Sequence, residues 1–359
     1  PERVQGIVSI GAWTPIVPRL PGRDGDPNLP ASADPQGWDK YNYDYWHRDY
    51  ADFTDFFLGK VNSEPHSTKQ HEDALRWAGD GDAEMLHMTD LAEGPGPLLT
   101  EAVYSSIRCP VLVVHAENDE ITPFEGSKRI AELTGAELHV TQRGGHSVHA
   151  RFPAWFNTTM RDFLAKHFAS HKPVRRKMNG TKRALYLSSP IGLGHARRDL
   201  AVTRELRKLH PDLQVDWLAQ DPVTRFLDAN NERIHPASRL LANESAHIED
   251  ECGEHDLHAF QAIRSMDEIL IKNFMVFQEV LEEQKYDLVI ADEAWDVDHY
   301  WHEHPDMKQA QIAWFTDFVG WVPFAENGAH EASLTTDYNA EMIGHVEGNP
   351  FVRDRAIFV

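Results

Sequence analysis

A chain of 359 residues with 41% apolar content is long enough for two domains and apolar enough to fill their cores, which excludes a disordered polymer. A formal net charge of −22 excludes nucleic acid as a partner, because neutralising phosphates takes a broad basic surface. Only Cys109 and Cys252 are available for disulfides, and no apolar run approaches the ~20 residues of a membrane-spanning helix; a soluble protein of the reducing cytoplasm fits.

The chain opens at Pro1 without an initiator Met or a signal peptide, and closes on the strand-like run Ala356 to Val359, so both ends are expected to be truncated. Val4 to Ile10 is short, apolar and rich in β-branched residues, and predicts a buried strand closed by Gly11. Residues 14–35 are rich in Pro, Gly and Asp and predict a loop. Trp38, Tyr41, Tyr43, Tyr45, Trp46, Tyr50, Phe53, Phe56 and Phe57 follow. They fit either a lid whose aromatic wall, with Trp46 against the substrate, covers an apolar ligand, or a small helical core.

Cys109 to His115 is the next predicted strand, and Asp119 stands on the turn behind it. Open α/β folds place their chemistry at that carboxyl edge. Ala136 to Thr141 predicts a third strand and leads into Gly144, Gly145 and His146, with His149 three residues on. Trp155, Phe156, Met160, Phe163 and Leu164 lie at helical spacing and predict a helix from Ala154 to Phe168.

A strand ending on Asp119, then 27 residues to a Gly-Gly-His146 turn and a closing helix, resembles the C-terminal half of the α/β-hydrolase fold. The resemblance implies that Asp119 orients His146 and that His146 is the general base. A hydroxyl nucleophile needs such a base at neutral pH, and the base needs a buried carboxylate to hold its tautomer. No Gly-x-Ser-x-Gly elbow occurs, so the resemblance puts the nucleophile upstream of residue 1 and leaves its identity open.

His167 to Arg183 holds a proline, a glycine and six Lys/Arg, and no acidic residue stands between Asp162 and Asp199. This is the composition of a solvated linker. A basic island also suits an anionic acceptor or a membrane surface, though solvation is the simpler reading.

Beyond the linker, strands are predicted over Lys182–Ser189, Leu213–Leu218, Tyr286–Asp292 and Gln311–Thr316. Helices are predicted over Ala196–His210, with Leu200, Leu206 and Leu209 on one face, over Pro222–Asn231, and along Met266 to Leu281. This alternation predicts a second parallel α/β unit. Gly192, Gly194 and His195 form the turn after the first of these strands; the glycines permit a tight turn and close ligand approach. The dinucleotide fingerprint is not met, since its third glycine is absent.

That turn, together with Asp292 closing a later strand 97 residues after His195, resembles the N-terminal, acceptor-binding half of a GT-B glycosyltransferase, similar to MurG-like and UDP-glycosyltransferase enzymes. The resemblance implies that His195 deprotonates an acceptor hydroxyl and that Asp292, or Asp296 in its place, steadies it. It also implies a nucleotide-sugar donor held by a second domain beyond Val359, and no other cofactor. Two His/acid runs, Cys252 to His258 and Asp296 to His304, lack a recognised four-ligand zinc spacing, so no metal is expected.

The expected organisation is therefore an α/β-hydrolase portion over 1–168 with a cap over 14–105, a linker over 169–183, and a Rossmann-like GT-B N-terminal domain over 184–359. Two other readings stay open: ligand-binding modules without turnover, or a second unit that acts on a sugar phosphate.

Overall fold

The structure, a computed structural model, describes residues 4–23, 25–92, 99–168, 182–252, 259–323 and 327–359. The chain folds as two compact units, Pro1–Ser170 and His171–Val359. Most of the basic linker, and the run from residue 253 to 258, lie outside the described residues.

The first unit opens with β1 (Ile7–Ile10). Helices α1 (Tyr43–Arg48), α2 (Tyr50–Val61), α3 (Thr68–Ala78), α4 (Ala83–Ala92) and α5 (Glu101–Ser105) separate it from β2 (Val111–Ala116). Then come α6 (Phe124–Thr134), β3 (Glu137–Thr141), α7 (Val148–Arg151) and α8 (Pro153–His167). The strands form a parallel sheet in the order β1-β2-β3, with Ile10 opposite Val114 and Ala116 opposite Thr141. All six residues of β2 are buried, as a central strand covered on both faces requires. Its side chains alternate: Leu112, Val114 and Ala116 meet Val148, Phe156 and Phe163 from α7 and α8, whereas Val111 and Val113 meet Ile130 and Ala131 from α6. Gly135 ends α6 at φ +70, the left-handed cap that favours glycine.

The aromatic series of residues 38–57 forms a helical core. Tyr43, Tyr45, Trp46 and Phe53 pack with Ala83 of α4, and Trp46 is 1% exposed. The Trp46 ring lies edge-on to Tyr41 and Tyr43 and tilted against Phe53. Trp46 therefore offers no face to a ligand, and its expected place in a substrate wall is corrected: burying a large ring in a helical cluster contributes more than leaving it in a cleft.

The second unit holds β4 (Arg183–Leu187), α9 (Leu193–Leu209), β5 (Gln214–Leu218), α10 (Val223–Ala229), α11 (Glu244–Cys252), α12 (Ala259–Arg264) and α13 (Asp267–Glu283). It continues through β6 (Leu288–Asp292), α14 (Trp295–Glu303), β7 (Gln311–Thr316), α15 (Gly328–Gly348) and β8 (Arg355–Phe358). All five strands are parallel, in the order β5-β4-β6-β7-β8. The order reverses beside β4, and the crevice over the carboxyl ends of the strands there is where such sheets take ligands. Tyr186 of β4 stacks on Trp217 of β5 with ring centroids 4.4 Å apart, inside a core that includes Ala196 of α9 and Ile290 of β6. Leu209 departs from the expected face of α9 and is 73% exposed. Nine residues after Leu200 make about two and a half turns, which points Leu209 to the opposite side. Among the described residues no helix is long and apolar enough to cross a membrane.

Trp46→Ala should destabilise the first unit by about 3–5 kcal/mol, read as a lower denaturant midpoint. An unchanged midpoint would take Trp46 out of the core.

Candidate active sites

In the first unit the chain turns sharply after β2, with the Asp119 amide donating to the Ala116 carbonyl at 3.2 Å. Asp119 Oδ1 accepts the amides of Ile121 (2.7 Å) and Thr122 (3.0 Å), which fixes the carboxylate and leaves Oδ2 facing the next loop. His146 Nδ1 lies 2.9 Å from Oδ2, so Nδ1–H donates to the carboxylate and Nε2 is left as the basic nitrogen. Burial by itself raises the Asp119 carboxyl; the His146 hydrogen bond and charge, with the two amides, outweigh it and hold the group below its ordinary value. Asp119 is buried while His146 keeps part of its ring in solvent, which suits a base that must meet a substrate.

Three glycines shape this dyad. Gly144 and Gly145 carry His146 into place at φ +136 and +61, and the Gly145 amide is held by Asn118 Oδ1 at 3.1 Å. Gly11, at the end of β1, has φ +51, and a Cβ there would stand 3.2 Å from His146 Nδ1 and 3.3 Å from Asp119 Oδ2. The end of β1 thus packs against the dyad itself. His115 closes the other side: its Nε2 is 3.4 Å from Asp119 Oδ2, its Nδ1 is 2.7 Å from Ser127 Oγ, and burial lowers its pKa. His149 sits on α7 with its ring toward Phe156; the imidazole bonded to Asp119 from this loop is that of His146.

In the second unit Asp292 ends β6 and is fully buried. His195, in the first turn of α9, brings Nδ1 within 2.9 Å of Asp292 Oδ2. Arg198, one turn further along α9, donates to Asp292 Oδ1. The hydrogen bond that His195 donates to Asp292 raises the imidazole above its ordinary value, against burial, which lowers it. Beneath the dyad, Asp199 accepts from Tyr186 Oη (3.0 Å) and Ser188 Oγ (2.6 Å), and burial plus the charge of Asp292 raise its carboxyl. Asp296 lies on α14; the carboxylate bonded to His195 is Asp292.

Gly192 precedes α9 at φ +85, and a Cβ on either Gly192 or Gly194 would meet no heavy atom within 4 Å. Gly192 is therefore required by backbone conformation, and the turn lies open. Beside it, at the reversal of strand order, a small cleft of about 40 Å³ is lined by Ser188, Ser189, Gln220, Glu244, Asn273 and Asp296, with Asp292 at its wall. Gln220 and Asn273 donate to Glu244 Oε1 at 2.6 and 2.8 Å. Burial, then the charge of Glu244, raises Asp296, and burial raises Glu244. Glu293 follows Asp292 at φ +50, a strained position for a residue with a side chain; its carboxyl is pushed up to about 7 by burial and accepts the Asp317 amide at 2.6 Å.

Residues 94–171 match the family model of TAP-like proteins, an α/β-hydrolase group. The match falls on the strand, loop and helix that carry Asp119 and His146, and supports an α/β-hydrolase part in the first unit. Serine hydrolase BPHL of Mus musculus is 37% identical over 59 residues, 16% of this chain and 20% of that protein; the Homo sapiens protein matches with the same figures. The chain thus spans about a fifth of the length of these curated relatives. An esterase structure from Rhodococcus sp. ECU1013 aligns over 45% of this chain and 56% of its own, with 17% identity and a TM-score of 0.32. The family match ends before the second unit begins its strands.

Sequence reasoning missed Gly11, His115, Arg198, Glu244 and Glu293. Only Arg198 carried a usable signal, three residues after His195 on one helix; the others are brought in by tertiary packing.

Gly11→Ala should cost about 1–2 kcal/mol from its left-handed backbone and loosen the His146–Asp119 bond, seen as loss of the downfield His146 Nδ1–H resonance in proton NMR. Retention of that resonance would show that β1 does not brace the dyad. For His195, the raised pKa means its pairing stabilises the fold fully below the ordinary imidazole value, and that this stabilisation is lost as pH rises through the raised one. Asp292→Asn should bring the His195 titration back down, followed by imidazole NMR; no downward movement would break the assignment.

Proposed function

We propose that the first unit is the base-bearing part of a hydrolase for esters or related acyl substrates. His146 Nε2 takes the proton of the nucleophile as it attacks the carbonyl carbon, and returns it to the leaving group. Asp119 holds the imidazole in the tautomer that leaves Nε2 basic and stabilises the imidazolium that forms. The observation that carries this reading is the 2.9 Å Nδ1–Oδ2 bond at the carboxyl edge of β2. The TAP-like match over residues 94–171 supports the same class. On this reading the nucleophile is a hydroxyl or thiol, Ser or Cys, whose proton His146 Nε2 can take.

For the second unit the reading is the acceptor half of a GT-B glycosyltransferase. His195 Nε2 removes the proton of an acceptor hydroxyl, which then attacks the anomeric carbon of a nucleotide sugar while the nucleoside diphosphate leaves. Asp292 orients His195 and balances its charge as the proton arrives, and Arg198 holds the other carboxylate oxygen of Asp292 in place. The His195–Asp292 bond of 2.9 Å beside the cleft carries this reading. On this reading the donor is a nucleotide sugar, no further cofactor takes part, and the partners are small molecules rather than nucleic acid. The open Gly192–Gly194 turn at the start of α9 also suits a phosphate, so a sugar-phosphate ligand is the second reading.

In the full-length protein, Asp119→Asn should lower kcat for p-nitrophenyl ester hydrolysis by about 10³–10⁴-fold with little change in KM. His195→Ala should lower transfer from UDP- or dTDP-sugars by about 10²–10⁴-fold and leave the ester assay unchanged. Equal turnover by wild type and variants would favour binding modules. Calorimetric binding of a simple sugar phosphate, weakened by Gly192→Val, would favour the second reading.

A further inference from the structure

The run from Asp296 to His304 lacks four ligands at zinc spacing, yet the fold brings further donors to it. His299 and Glu303 are one turn apart on α14, so both project from the same side of that helix. Glu341 and His345 have the same spacing on α15, which packs against α14. One donor atom from each of His299, Glu303 and Glu341 falls within a group whose members all lie within 4.8 Å of one another. The His345 ring stands with its centroid 5.0 Å from that of His299. The Glu303 side chain is 1% exposed and His299 Nε2 is 3.5 Å from Glu303 Oε1.

We propose that α14 and α15 form a site for a divalent transition-metal ion, with Zn²⁺ the best match, ligated by His299, Glu303 and Glu341 and completed by His345 or water. Two carboxylates that meet at a half-buried imidazole form a place where a positive charge is favoured. A dication supplies that charge and uses the donors in place. Mixed imidazole and carboxylate donors suit Zn²⁺, whereas Ca²⁺ and Mg²⁺ favour all-oxygen shells. A tetrahedral ion with bonds of about 2.1 Å holds its ligand atoms roughly 3.4 Å apart, so the three donors need only small side-chain rotations to close on it. His302 does not belong to the set: its Nδ1 is 2.7 Å from the Asp298 carbonyl, and its ring lies parallel to that of His345 with centroids 6.2 Å apart. The ion would clamp α15 to the helix that follows Asp292, a structural role that stands apart from either proposed reaction.

The test is titration of Zn²⁺ into the metal-free protein by calorimetry, with Co²⁺ as a spectroscopic probe. One equivalent should bind, raise Tm, and give the visible bands of a four-coordinate cobalt site. His299→Ala and Glu341→Gln should each weaken binding by more than about 100-fold and abolish those bands, while His330→Ala, on the exposed start of α15, leaves both unchanged. Circular dichroism at matched temperature separates lost ligation from lost folding, and the milder Glu341→Gln gives the answer if His299→Ala fails to fold. Absence of stoichiometric uptake of Zn²⁺ and Co²⁺, or equal affinity in wild type and both ligand variants, overturns the proposal.

Discussion

Each unit depends on one interaction of the same kind: a buried carboxylate, held at the carboxyl edge of a parallel sheet, bonded to the Nδ1 of an imidazole. A carboxylate removed from water is costly unless hydrogen bonds and a partner replace its hydration. Asp119 meets that demand with two backbone amides and His146, and Asp292 meets it with Arg198 and His195. Asp119 follows and Asp292 ends a strand whose side chains are almost entirely buried, so their place is set by the same packing that makes the core.

The two sites are braced differently, and the bracing follows from what stands around each carboxylate. In the first unit the bracing lies in the backbone, where glycines at positive φ let β1 and the His146 loop close on the dyad without a side chain between them. In the second unit the bracing is electrostatic. Arg198 offsets the charge of Asp292, and a second buried acid, Asp199, lies beneath it with Tyr186 and Ser188 as donors. The neighbouring cleft continues the pattern, since Glu244 is tied to Gln220 and Asn273 in a place where a free carboxylate would be expensive.

Much of this was legible in the residues. Strand runs such as Val111 to Ala116 and Leu288 to Asp292 announce themselves by β-branched, apolar composition, and the polar residue ending such a run falls at the edge of the sheet. Where sequence failed, distance along the chain was the reason. The aromatic run of residues 38–57 left a lid and a core equally open, because periodicity does not say what covers a helix face; Ala83 and Leu86 of α4 do, and they bury Trp46. Leu209 matched a list of leucines but not the angle of the helix.

By itself, the sequence determined the α/β class of both units and the strands that lead to Asp119 and Asp292, because these follow from local composition and order; His146 and His195 were named only by what the family resemblances imply. Only the tertiary structure decided that His146 Nδ1 and His195 Nδ1 reach those carboxylates, that Gly11 must lack a side chain, and that Glu341 meets His299 and Glu303. These are contacts between residues far apart in the chain, and the packing of helices and strands, not any local propensity, fixes which of them touch.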